Sequence, residues 1–318
     1  MARFLLTRTL SSLALLLVVS FVIFSFVYIA PGNPLAVLLG GHPVAQSVIT
    51  AIRAHNHLND PFFVQFGIWL GDVLHGDFGE SVASQAPVAQ VVGPRIVPTL
   101  ELAAYAWVLV VLFGAGSGIV AAVRRGKATD AVISGVMLVA ASLAQYVSAI
   151  VLIVVFAVKL AWFPVFGLGG GFGDRLYHLT LPAIAMALSL SAFLGRITRT
   201  AMIDALQLDY VDTARSRGFG SRSVIFRHAL RSALVPIVTV GGLTIGYLIT
   251  GAVLIEYTFG LNGLGYELVA AIQNKDFAVV QAIALLFTAT FVIANLASDL
   301  LYMLIDPSVR LGRTRART

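Results

Sequence analysis

Six long stretches of this sequence contain no Asp, Glu, Lys or Arg, and they leave few folds open. They cover residues 10–30, 102–123, 131–158, 179–195, 232–255 and 277–298. An α-helix needs about 20 residues to cross the hydrocarbon core of a membrane, so these stretches are long enough or nearly so. Because unpaired backbone amides are costly in lipid, apolar runs of this length must be helical. The sequence therefore predicts an all-α membrane protein with six transmembrane helices.

The composition excludes several classes of protein. Hydrophobic residues make up 58% of the 318 residues and charged residues only 11%, whereas about a quarter are charged in a soluble domain. The chain has no Cys, which excludes disulfides, thiolate metal ligands and a Cys nucleophile. The net charge is +6, but the basic residues lie between the apolar runs and form no single patch. Membrane lipid is therefore an expected partner, and nucleic acid is not.

The distribution of Lys and Arg predicts the orientation of the chain. With the N-terminus inside, 16 of the 21 basic residues fall in inner segments. Cytoplasmic loops carry such an excess, so both termini are expected in the cytoplasm. The first apolar run exceeds the roughly 7–15 residues of a signal-peptide core and lacks a small-residue cleavage site, which predicts an uncleaved anchor.

Two long connections divide the chain into regions. Residues 1–30 are predicted to form the cytoplasmic N-terminus and the first span. Residues 31–98 form an external segment, which Pro and Gly turn signals divide into short helices such as 61–74. Residues 99–318 form the core domain with spans two to six, a basic C-terminal tail and a cytoplasmic loop at 196–231.

The cytoplasmic loop carries seven Arg and three Asp, yet its apolar residues keep helical spacing. Asp209 is a predicted N-cap for a helix over 210–217, and Gly218 stands where a left-handed residue would end that helix. Ser221 is predicted to cap a second helix. The expected product is a helix–Gly–helix elbow that docks on a partner. The alternative is an amphipathic helix pair lying on anionic lipid.

Motifs along most of the chain resemble those of a known family. The loop region reads "DYVDTARSRGFGSRSVIFRHALRSALVPI", and "RIVPTLEL", "TGAVLIEYTFGLNGLGYELVAAI" and "LLYMLIDPSVRLG" occur elsewhere. The chain resembles permease subunits of binding-protein-dependent ABC importers, in the dipeptide, oligopeptide and nickel branch. The loop of that family carries Glu-Ala-Ala, three residues, Gly, nine residues and Ile-x-Leu-Pro. Here Asp212-Thr213-Ala214 stands in place of Glu-Ala-Ala, and Gly218 matches the Gly. His228 and Arg231 replace the Ile and the Pro.

The resemblance implies the type I ABC importer permease architecture and a role without catalysis. The loop would dock on a separate ATPase. The residues that the resemblance assigns to this contact are Tyr210, Asp212, Ala214, Arg215 and Gly218. The implied partners are a second, related permease, two ATPase subunits and an extracytoplasmic solute-binding protein, in a bacterial cytoplasmic membrane. The chain lacks a G-x-x-x-x-G-K-[ST] phosphate loop, so no cofactor is expected in it, and ATP and Mg²⁺ would be bound by the ATPase subunits.

A few polar residues in the spans are candidates for lining a translocation pathway. Ser142, Gln145 and Ser148 recur at helical spacing in the third span. In the fifth span Thr244 lies among small residues that favour either close helix packing or a water-filled path. Glu256 follows that span and is a candidate for the outward mouth, although a structural role in the membrane interface is favoured.

The predicted solute is a di- or oligopeptide, with nickel, glutathione or another small solute as alternatives. A self-sufficient secondary carrier is less favoured, because no charged residue falls within the predicted spans. The Gly-x-Gly-Asp string that ends at Asp174 occurs in intramembrane aspartyl proteases, but the second intramembrane Asp is missing. His55 and His57 are separated by one residue, but two loop His without a fuller set of carboxylate or thiolate ligands make a weak site, so no metal site is predicted.

Overall fold

The computed structural model describes residues 2–29 and 60–305, and almost all of them lie in helices or in short connections. The described part contains no β-strand beyond one isolated bridge between Glu80 and Pro87. The tail and the first half of the predicted external segment, including both candidate His residues, lie outside the described residues. The helices in chain order are α1 (Ala2–Ile29), α2 (Phe62–Leu74), α3 (Val88–Val123), α4 (Ala128–Ser142), α5 (Gln145–Lys159), α6 (Phe172–Leu206), α7 (Asp209–Ser216), α8 (Ser221–Phe259), α9 (Leu264–Gln273) and α10 (Phe277–Ile305).

Five of these helices are long and apolar enough to cross a membrane, and the bent α4–α5 pair makes a sixth candidate if its two halves form one span. The third span differs from the sequence prediction because the chain bends by 104° between its two halves. Leu143 and Ala144 adopt extended backbone angles there. The Ser142 hydroxyl donates to the carbonyl oxygens of Leu138 and Val139, a competition with the helix ladder that is typical of bent helices.

The helices divide into two compact units. In the first unit, which contains residues 100–260 and 293–305, helix α6 packs against α3, α4, α5 and α8. Small residues let the backbones approach closely, as is usual between membrane helices. A Cβ atom built on Gly118 would lie 2.5 Å from the carbonyl oxygen of Gly195, and one built on Gly195 would lie 2.8 Å from the Met137 side chain.

The second unit contains α1, α2, the start of α3, α9 and the start of α10. Aromatic rings join α1 to α2, with Phe21 and Phe24 packed on the rings of Phe62, Phe66 and Trp69. Helix α2 matches the helix that the sequence predicts over 61–74.

Polar contacts hold the rest of the second unit together. The buried Asp276 carboxylate accepts a 2.5 Å hydrogen bond from the Ser81 hydroxyl and a 3.2 Å bond from the backbone amide of Ala83. Arg95 forms a 2.9 Å ion pair with Glu267. Burial raises the pKa of the Glu267 carboxyl above its ordinary value, and the Arg95 charge opposes that shift.

Candidate functional site: the elbow between spans four and five

The elbow consists of α7, the turn 217–220 and the first residues of α8. Helix α7 begins at Asp209 after Leu208, whose backbone is extended and makes no side-chain cap. The prediction that Asp209 caps the helix from outside is therefore wrong by one residue. Asp209 and Asp212 both lie in the first turn, where the helix dipole favours an anion, and Arg215 lies in the last turn, where it favours a cation.

Gly218 ends α7 as the sequence predicts. Its φ angle is +81°, which lies in the left-handed region that Gly adopts at little cost. The Gly218 amide donates to the carbonyl of Arg215 at 2.9 Å, and the Phe219 amide donates to that of Ala214 at 3.3 Å. These two bonds satisfy carbonyl groups that would otherwise be left open at the helix end.

The second arm of the elbow is the start of the fifth span. Ser221 is the first residue of α8 and makes no side-chain cap, so the prediction of a separate helix capped by Ser221 is wrong. Residues 224–229 form a π-helical turn, and the helix then continues to Phe259. The elbow therefore passes directly into a membrane span.

A small hydrophobic core holds the two arms at a fixed angle. Val211, Ala214 and Val224 are each at most 4% exposed, and Leu206 at the end of α6 packs against them. Ala214 is therefore a packing residue, because a buried methyl group leaves no surface for a partner. A larger side chain at this position would force the arms apart.

Tyr210 ties the first arm to the second. Its hydroxyl shares a 2.6 Å hydrogen bond with the Ser232 hydroxyl and donates a longer bond to the His228 carbonyl. The Tyr210 side chain remains partly exposed. The contact fixes α7 against the base of α8.

Replacing Tyr210 with Phe removes the hydroxyl and keeps the ring. We expect the elbow to lose about 1 kcal/mol of local stability, the usual net value of one hydrogen bond. Faster amide hydrogen exchange in α7 would report this loss. Ser232→Ala should give the same loss, and the double variant no more than either single one. Additive losses would show that the two hydroxyls do not depend on each other.

The exposed surface of the elbow carries both charges and aromatic rings. Asp212 and Arg215 form a 3.0 Å ion pair whose side chains are 65% and 52% exposed. Such a pair adds little stability, so both groups remain available to a partner. Phe219 in the turn and Phe226 in the second arm are also exposed, and the Phe219 ring contacts that of His228. An apolar surface bordered by charges is typical of protein interaction sites.

The structure does not bring the candidate pathway residues onto one helix face. Ser142 ends α4 and Gln145 begins α5, so the bend of the third span separates them. The expectation that Ser142, Gln145 and Ser148 form one continuous stripe is therefore wrong. Gln145 instead packs on α8, where a Cβ atom built on Gly251 would lie 2.7 Å from its amide oxygen.

The three other candidates are buried. The Ser148 hydroxyl donates to the Ala144 carbonyl, and the Thr244 hydroxyl donates to the Gly241 carbonyl at 2.6 Å. Glu256 is 1% exposed and lies inside α8, which runs three residues beyond it. Glu256 is therefore buried in the structure, and its place at the outward mouth stays a prediction.

Sequence reasoning missed one ion pair near the elbow. The Asp130 carboxylate in the first turn of α4 binds the Arg199 guanidinium of α6 through two hydrogen bonds. The two residues are 69 positions apart and share no motif. The available signal was that an Asp and an Arg border the third and fourth spans on the same predicted side of the membrane.

Comparison with known proteins agrees with this architecture. Residues 114–311 match the family described as "Binding-protein-dependent transport system inner membrane component", and residues 1–103 match the N-terminal component of the same systems. The "Probable peptide ABC transporter permease protein y4tP" of Sinorhizobium fredii is 37% identical over 314 residues, which cover 98% of this chain and all of that protein. The "Glutathione transport system permease protein GsiC" of Escherichia coli K12 is 35% identical and covers 98% and 99%.

A solved structure shows a similar fold. It is an inward-facing structure of the MetNI methionine ABC transporter, with a TM-score of 0.55, 14% identity, and coverage of 68% of this chain and 97% of that one. The family match and the apolar helices together show a multi-pass inner-membrane component of a transport system. The chain belongs to the family of binding-protein-dependent ABC importer permeases, in the peptide and nickel branch. Both the fold class and the family resemblance found in the sequence are confirmed.

Proposed function

We propose that this chain forms half of the translocation pathway of an ATP-driven importer for di- or oligopeptides or for glutathione-like solutes. The observation that carries the proposal is the elbow, which is held rigid by its own core while its charged and aromatic surface stays exposed. The names of the relatives in S. fredii and E. coli support the peptide or glutathione class. Nickel is the second candidate solute, because the family branch includes it.

The elbow is the proposed contact with an ATPase subunit. Its exposed surface carries the charges of Asp212 and Arg215, and Gly218 forms its turn. Tyr210 joins its two arms by a hydrogen bond, and Ala214 packs in its core. The elbow and both termini lie in the cytoplasm, in line with the positive-inside rule. A second, related permease completes the pathway, two ATPase subunits bind ATP and Mg²⁺, and an extracytoplasmic solute-binding protein delivers the solute.

Reversing the charge at Asp212 tests the proposed contact. In an Asp212→Lys variant the surface ion pair becomes a repulsion, but the fold should change by less than about 1 kcal/mol because both groups are exposed. We expect ATP hydrolysis by the complex to lose its dependence on the solute-loaded binding protein. An Asp72→Lys variant, whose exposed charge lies on α2 and outside the elbow, should behave as wild type. Unchanged coupling in Asp212→Lys would remove this residue from the docking surface.

The solute is identified by uptake into proteoliposomes. The chain is purified in complex with its partner subunits, reconstituted, and supplied with ATP and the binding protein. Labelled dipeptide, labelled glutathione and ⁶³Ni²⁺ are compared, with a non-hydrolysable ATP analogue as the control. ATP-dependent uptake of a peptide or of glutathione supports the proposal, whereas uptake of nickel alone supports the second candidate. A complex without ATPase subunits would overturn the proposed function.

A further inference from the structure

We propose that Asp130 and Arg199 are a positioning pair that makes α4 follow the movement of the elbow. The inference rests on the proposed function, because it assumes that an ATPase moves the elbow. It adds the route by which that movement would reach the third span. The pair joins the first turn of α4 to α6, two helical turns before α6 ends at the elbow.

The Asp130 carboxylate is almost completely buried and accepts four hydrogen bonds. Its side chain is 8% exposed, and its oxygens accept bonds of 2.7 and 2.8 Å from Nε and a terminal nitrogen of Arg199. The Gly126 amide donates a third bond at 3.1 Å, and the Ser134 hydroxyl a fourth at 3.3 Å. The carboxylate thus connects the turn before α4, α4 itself and α6.

The two hydrogen bonds between Arg199 and Asp130 determine how movement of the elbow would reach α4. A planar guanidinium that binds both carboxylate oxygens fixes the angle between the groups as well as their distance. The packing of Met137 on Gly195 resists separation of the two helices, but the hydrophobic effect is non-directional and sets no angle as the ion pair does. The pair therefore restricts both the shift and the rotation of α4 relative to α6.

The pair lies between two other fixed contacts on α6. One turn towards the membrane, Gly195 packs against Met137 of α4 and Gly118 of α3. In the other direction, Leu206 packs on the hydrophobic core of the elbow. The helix is continuous from Gly195 to Leu206, so a displacement of the elbow displaces the Arg199 guanidinium with it. Helix α4 must follow as long as the ion pair holds.

An Arg199→Lys variant separates the geometry of the pair from its charge. Lys keeps the positive charge but offers a point contact in place of two parallel bonds. In the reconstituted full complex we expect normal assembly and nearly normal ATP hydrolysis. Transport per ATP hydrolysed should fall about fivefold or more, the lower end of typical coupling effects. Arg196→Lys is the matched control, since Arg196 is exposed on the same helix one turn away.

The outcomes separate the two proposals. Wild-type transport per ATP in an assembled Arg199→Lys complex would overturn the positioning role and leave the proposed function intact. If the wild-type chain recruits no ATPase, the proposed function itself is overturned, and the positioning role with it. The role would be supported if transport per ATP fell in Arg199→Lys and not in Arg196→Lys.

A second measurement covers the case in which Arg199→Lys does not assemble. The chain has no Cys, so spin labels can be attached through Lys127→Cys and Thr200→Cys, both at exposed positions beside the pair. We expect the distance between the labels to stay the same in the nucleotide-free and ATP-trapped complexes. A nucleotide-dependent change of about 5 Å, one helical turn, would show that α4 and α6 move independently and would overturn the inference.

Discussion

A Gly218→Val variant is expected to lose both ATPase docking and transport. Gly218 has a φ angle of +81°, and a β-branched residue in that region carries strain of about 2 kcal/mol. To relieve the strain, the turn must open and the two arms of the elbow must separate. If the ATPase binds only the closed elbow, the same free energy weakens docking about thirtyfold. Co-purification of the ATPase and uptake in proteoliposomes measure the effect.

Two other glycines provide controls for this variant. Gly220 lies in the same turn, has a φ angle of −60°, and has open space around a built Cβ atom, so Gly220→Ala should behave as wild type. Gly76 has a φ angle of +85° outside the loop, so Gly76→Val carries the same strain without touching the elbow. Full complex yield and full transport in Gly218→Val would show that docking does not need the left-handed turn.

A Gly118→Ala variant is expected to destabilise the first unit strongly. The added methyl group would lie 2.5 Å from the Gly195 carbonyl oxygen and 2.6 Å from the Thr198 Cβ atom. A backbone oxygen cannot rotate away, so α3 and α6 must separate. Overpacking of this kind costs about 1–3 kcal/mol. We expect a lower thermal unfolding temperature in detergent and a lower yield of the assembled complex.

Gly116 is the matched control in the same helix. A Cβ atom built there meets nothing within 4 Å, so Gly116→Ala removes backbone flexibility without a clash. That change in a helix stabilises by about 0.5–1 kcal/mol. Opposite effects of the two variants would confirm that close contact with α6, and not the loss of a helix glycine, is responsible. Equal effects would contradict the packing argument.

The sequence predicts the parts of this protein that depend on local pattern. Charge-free runs of about 20 residues fix the spans, because only a helix can satisfy its backbone in lipid. The end of α7 at Gly218 was predictable as well, since few residues other than Gly adopt a left-handed conformation at a helix end. The start of α7 was predicted one residue late. Asp is a far better N-cap than Leu, but no side-chain cap bond forms here, so the preference on which the prediction depended does not act.

The remaining contacts depend on residues that are far apart in the chain. The Asp130–Arg199 pair spans 69 positions and the Ser81–Asp276 bond 195, and no periodic pattern reports such distances. The bend after Ser142 was missed for another reason. Its sequence is as apolar as a straight span, and the extended backbone at Leu143 and Ala144 has no Pro or Gly to mark it. Hydropathy measures the length of a span but not its path.

The second arm of the elbow is the first turn of a single helix that runs from Ser221 to Phe259. A helix of 39 residues is about 58 Å long, and its first residues belong to the elbow. A tilt of about 5° at that end, with the helix rigid, moves the opposite end sideways by about 5 Å, which is one helical pitch. A small rotation imposed on the elbow would thus become a displacement of several ångströms at the other end of the helix, where Glu256 and Phe259 lie.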